Sequence, residues 1–245
     1  MNEVITDIQA ARKLFDRLSA QVMELYELSP SETPSRITPA QLLEGIDQFL
    51  AIARQVDEGL NKTSALGMGD VTQLGDYGLS LLMDLEVWAQ QHKAQEISRQ
   101  IKSITLAIAD WLVRHGGQIQ SLESVVDALA FAANHTTDQR TLEQLTLFMG
   151  SVREACADFI KSDLERLNLG RPWRILHLNR GITATRTHNT ALMVKVYDEL
   201  VETLPQDAPQ FFKEGMVEMD KLNYPAHVRA VMQRYFDQWT RPHMH

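Results

Sequence analysis

The sequence predicts an all-α protein, and three observations carry that reading. Apolar residues recur in alternating three- and four-residue steps along most of the chain, no proline lies between Pro39 and Pro172, and no alternating Val/Ile/Thr-rich run bounded by turn residues is present. The first pattern places an apolar stripe on one face of a helix. The second permits long uninterrupted helices, because proline is tolerated only in a helix's first turn. The third leaves nothing to read as a strand. Consecutive helices with short loops pack as antiparallel hairpins, so the expected architecture is about 8–9 helices in a bundle or a short α-solenoid.

The elements follow in order. Ile8, Ala11, Phe15, Leu18, Val22 and Leu25 step 3-4-3-4-3 and form a narrow seam within residues 4–25. Such a seam serves a core or pairs helices between subunits, which would make a homodimer. Ser29 to Arg36, with Pro30 and Pro34, reads as a loop. Thr38 before Pro39 is a helix start: a capping hydroxyl, then proline at the first helical position. Leu42 or Leu43, Ile46, Phe49 or Leu50, Ala53, Val56 and Leu60 continue on one face until Gly59 and Gly67-Met-Gly69 close the unit.

Further helices are expected near 70–91, 94–115, 121–134 and 138–168. Ile97, Ile101, Ile104, Ile108 and Trp111 line one of them, and Gly116-Gly117 supplies a left-handed stop. Leu142, Leu145, Met149, Val152, Cys156, Phe159 and Leu167 mark the core side of the 138–168 helix. Helices return near 190–204, 208–221 and 225–240, bounded by Pro205, Pro209 and Pro225. The expected division is a hairpin at 1–62, central hairpins at 63–168, and a basic segment with C-terminal helices at 169–245, all three able to form one integrated domain. Leu74-Gly75-Asp76-Tyr77 comes close to the Leu-Gly-x-x-Tyr core of a tetratricopeptide (TPR) repeat, but the tyrosine falls one position short. Helix starts near 70, 121 and 171 are about fifty apart, not the roughly thirty-four of that repeat. A TPR-like stack is therefore expected as a shape and not as a family.

Composition excludes several function classes. Twenty-four Lys and Arg against 32 Asp and Glu leave a net charge of -8, which repels phosphates over most of the surface. General nucleic-acid binding and docking to an anionic membrane are not expected. A single cysteine excludes an intramolecular disulfide and any multi-cysteine metal site. Met1 to Ala10 holds Glu3 and Asp7 without a basic residue, so no signal-peptide start is read, and no apolar run is long enough to span a bilayer. The expected location is cytoplasmic.

Chemical motifs are scarce. Gly67-Met-Gly69 has no third glycine in register, and neither a Gly-Lys-Ser/Thr triplet nor a Gly-x-Ser-x-Gly elbow is present. None of the eight histidines lies three residues after a glutamate or four from another histidine, so no metal or other cofactor is expected. His243-Met-His245 reads as an incidental terminal pair. Cys156 sits on an apolar stripe beside Glu154 and Asp158, which raise a thiol pKa and disfavour a nucleophile. No catalytic residue is assigned.

One segment stands out. From Arg166 to Tyr197 there are six basic residues and no acid. Arg171, Trp173, Arg174, His177, Arg180, Arg186 and His188 form the candidate anion- or partner-binding set, because guanidinium forks, hydroxyls and a helix N-terminus suit carboxylates and phosphates. The competing reading is an internal brace, with these arginines paired to acidic helices such as Glu199 to Glu202 or capping helix C-termini. Met193, Met216, Met219, Met232 and Met244 gather near the C-terminus, as in pliable binding faces and in cores. The functional expectation is a non-enzymatic interaction or adaptor protein for a protein or anionic partner. The alternative is an enzyme or small-molecule-binding protein that clamps an anionic ligand with Arg171, Arg174 and Arg180, with His177 or His188 as acid-base group.

Overall fold

The computed structural model describes residues 7–28, 37–59 and 67–240. The loop expected at 29–36, Val4, Leu60, Met244 and the His243-Met-His245 motif lie outside the described residues. The chain divides into two compact units, Met1–Ala132 with Ser151–Leu164, and Ala133–Gly150 with Glu165–His245.

The first unit is built on α1 (Ile8–Leu28), α2 (Pro39–Asp57), α3 (Met68–Gln91) and α4 (Gln95–Arg114). Each packs on its chain neighbour and α1 closes on α4, which makes a four-helix bundle. Thr38 starts α2 as its sequence demands: its hydroxyl accepts from the Gln41 amide at 3.3 Å, while the Gln41 side chain accepts from the Thr38 amide at 2.9 Å. Ile97, Ile101, Ile104, Ile108 and Trp111 of α4 are all buried, and Phe49 of α2 meets Trp111 edge-on at 5.8 Å. The α1 seam of Ile8, Ala11, Phe15, Leu18 and Val22 is buried within this same bundle. Gly75 explains the Leu-Gly-Asp-Tyr stretch: a Cβ there would lie 2.3 Å from a Leu112 methyl, so the residue permits close approach of α3 and α4. Gly116, at φ +69°, ends α4 in the left-handed region.

The helix expected over 138–168 is shorter. After α5 (Leu122–Asn134), α6 runs only from Gln139 to Ala155, and α7 is the four-residue turn Asp158–Lys161. Backbone pairing breaks the periodicity. Ile119 donates to the Ala155 carbonyl at 2.8 Å and accepts from the Ala157 amide at 3.0 Å, forming an isolated parallel bridge with Cys156. Cys156 remains buried, but Phe159 is 63% exposed and Leu167 fully exposed, so neither lies on a core face. No strand is present among the described residues, and none of their helices is long and apolar enough to cross a membrane.

The second unit contains the start of α6 with α8 (Pro172–Arg186), α9 (Thr190–Thr203), α10 (Ala208–Lys221) and α11 (Ala226–Thr240). The described residues therefore hold eleven helices; α7 and α8 account for the excess over the expected number. Pro172 opens α8 at its first turn, and the Asn189 side chain caps α9 by accepting from the Leu192 amide at 3.1 Å. The core centres on Tyr197, which packs edge-on to Phe211, Phe212 and Tyr235. Met193, Met219 and Met232 fill the space around these rings.

Candidate functional site

Helix α8 carries every arginine of the basic segment except Arg166 and its own N-cap, Arg171. It has almost no apolar bias to one side, because polar residues occupy inward positions: His177, Arg180, Thr183 and Thr185 are buried. Burial of a guanidinium demands partners, and each arginine has them. Arg171 donates from Nη1 to the carbonyls of Arg166 and Asn168, both at 3.1 Å. Arg174 holds the Asp207 carboxylate through Nε and Nη2, each at 2.7 Å, and donates to the Leu169 carbonyl at 2.9 Å. Arg180 pairs with Glu199 and donates from Nε to the Thr146 carbonyl at 3.2 Å. Arg186 donates to the Ala133 and Thr136 carbonyls at 2.7 and 2.6 Å, at the end of α5 and in the turn that follows it.

The remaining members of the set are held mainly by ring contacts, and the buried Trp173 Nε1 has no hydrogen-bond partner. Trp173 is buried and meets the buried His177 ring edge-on at 4.6 Å. His188 sits at φ +59°, just beyond the end of α8; its Nδ1 lies 3.0 Å from the Gln139 amide nitrogen and its ring packs on Tyr224. Arg171, Trp173, His177 and Arg180 are all buried. Among the described residues, no group of three or more His, Cys, Asp or Glu is placed to hold a metal ion. Burial pushes the Cys156 thiol up to about 12, against a smaller opposing pull from Lys161, so it is protonated and inert at neutral pH. The neighbouring acids singled out in the sequence are not what raises it.

A cavity of about 230 Å³ opens elsewhere in the same unit, between α8, α10 and α11. Ile182, Phe211, Met219, Leu222 and Met232 give it apolar walls, and Arg186, Glu214, Glu218 and Tyr224 supply its main polar groups. Gly215 lies in its wall, where a Cβ would come within 2.6 Å of the Met232 side chain; the residue lets α10 and α11 approach. The Tyr224 hydroxyl is pushed above its ordinary pKa by burial, with Arg186 opposing and Glu218 adding to the shift.

Comparisons with protein-family models, with curated proteins and with solved structures give no match to this chain. The chemistry of the two sites therefore rests on their geometry. Of the cavity's walls, the sequence points to Arg186, the neighbouring Thr185 hydroxyl, and the methionines Met219 and Met232. The remaining signal was Gly215 in mid-helix, a position where glycine costs stability unless something packs against it.

Proposed function

We propose that this chain is a non-enzymatic helical interaction protein, and that the face it offers to a partner is the α8–α10–α11 cavity. The carrying observation is the contrast within α8. Its arginines have protein acceptors at hydrogen-bond distance, while the cavity beside it presents apolar walls to the outside. An electrostatic clamp works by charge that is free to meet a ligand, whereas an apolar concavity with few polar groups is the usual form of a binding site. The basic segment then acts as the internal brace of the unit, and its carboxylate partners Asp207 and Glu199 support that role.

The test is titration with an uncharged apolar fluorophore, N-phenyl-1-naphthylamine, into the protein and an Ile182→Trp variant that fills the cavity mouth. Ile182 is half exposed, so the larger ring is accommodated without opening the core. Saturable binding that disappears in Ile182→Trp, with unchanged unfolding midpoint, is the expected result. Binding indifferent to Ile182→Trp would overturn the reading. So would thermal stabilisation by inorganic phosphate that is lost in Arg174→Glu, which would return the function to an anion clamp.

A further inference from the structure

We infer that the cavity receives one bulky apolar side chain of a basic, amphipathic segment of a partner protein. This rests on the interaction reading above and adds the chemistry of the partner.

Size comes first. About 230 Å³ lies below the roughly 300–1,000 Å³ of pockets that enclose drug-sized ligands and cofactors. It matches a single large side chain, the unit by which a helix or extended segment anchors itself in an apolar groove. Met219 and Met232, with flexible thioethers, together with Phe211 and Leu222, form walls that adapt to such an anchor.

Charge decides the sign of the partner. Glu214 and Glu218 lie one turn apart on α10, both exposed and both in the cavity lining. Against these two carboxylates the lining holds one cation, Arg186, and its Nη1 and Nη2 donate to the Ala133 and Thr136 carbonyls. Glu214 accepts from Gln210, and Glu218 pairs with Lys221 at 2.7 Å in a solvent-exposed bridge. Exposed bridges of that kind hold little free energy and exchange readily for another cation. A Lys or Arg placed one turn from the apolar anchor would meet these carboxylates, and Tyr224 lines the cavity beside them. The net charge of -8 favours encounter with a basic segment over an acidic one.

The experiment uses the full chain and two synthetic twelve-residue peptides, identical in one Trp and two Leu, one with flanking Lys and the other with flanking Glu. Anisotropy titrations at low and physiological salt should show at least tenfold tighter binding of the Lys peptide. That preference should shrink at the higher salt and collapse in the Glu214→Gln/Glu218→Gln variant, and Ile182→Trp should abolish binding. Equal or tighter binding of the Glu peptide would overturn the inference while leaving the cavity a partner site. Failure of both peptides where N-phenyl-1-naphthylamine still binds would overturn the peptide occupant. Failure of peptides and fluorophore together would remove the interaction reading itself.

Discussion

The Arg180–Glu199 pair offers a direct way to distinguish brace from binding site. The Arg180 side chain is 5% exposed and Glu199 19%, and the guanidinium also satisfies the Thr146 carbonyl. Gly150 leaves it room: a Cβ there would approach Nη2 to 2.9 Å. Removing one member of a buried pair typically costs about 3–5 kcal/mol, because the survivor keeps its desolvation penalty without compensation. Glu199 retains some access to water, so Arg180→Ala belongs at the lower end, about 3 kcal/mol. At roughly 2–4 °C per kcal/mol for a chain of this size, the midpoint should fall by about 6–12 °C. Thermal and urea unfolding followed by circular dichroism would read this, in a double-mutant cycle with Glu199→Ala. The double variant should lose clearly less than the sum of the singles, because each single change already removes the pair. Additive losses, or an Arg180→Ala loss below about 1 kcal/mol, would refute the brace, since energies that small belong to solvated surface charges.

Other outcomes are equally specific. Gly75→Ala should destabilise by about 1–3 kcal/mol through overpacking against Leu112, read by urea unfolding; a neutral change would mean that α3 and α4 can part freely. Burial raises the Asp57 carboxyl, but hydrogen bonds and charge from Arg114 and His115 outweigh it and hold the group below its ordinary value of 3.8. The stability this contributes is present above that value and is lost as pH falls below it. Unfolding between pH 5 and 2 should therefore lose part of its pH dependence in Asp57→Asn, and an unchanged profile would remove Asp57 from the linkage. The buried Cys156 thiol should resist a disulfide reagent at pH 8 until the protein is unfolded; stoichiometric labelling of the native chain within seconds would contradict its burial.

The fold was legible where local chemistry and tertiary packing agree. The 3-4 stripe of α1, the Thr38-Pro39 start and the Gly116 stop each specify an element without help from elsewhere, and each is found. The stripe through Phe159 and Leu167 misled because periodicity extends through the residues where Ile119, some forty positions away, draws the backbone out of the helix. No local pattern reports such a pairing. In the basic segment, the absence of acids was compatible with a binding site and with charges answered elsewhere in the chain. Glu199 lay among the partners the sequence suggested, whereas Asp207 did not. The cavity was least legible, since its walls come from three helices and the sequence marks only a few of their residues, Arg186, the methionines and mid-helix Gly215 among them.

The path of the chain also constrains how the molecule is made and taken apart. It passes between the two units three times, and two helices, α5 and α6, each begin in one unit and end in the other. No single scission of the backbone can sort the two units into one fragment each. During synthesis, the ribosome completes α1 to α5 before Ala155 and Ala157 exist to engage Ile119. That strap of the first unit must wait for residues 133–150, which belong to the second. Folding of the amino-terminal bundle is thereby tied to elongation well beyond its own helices, and a nascent chain halted near residue 140 should lack the protection from exchange that the Ile119 amide has in the finished protein.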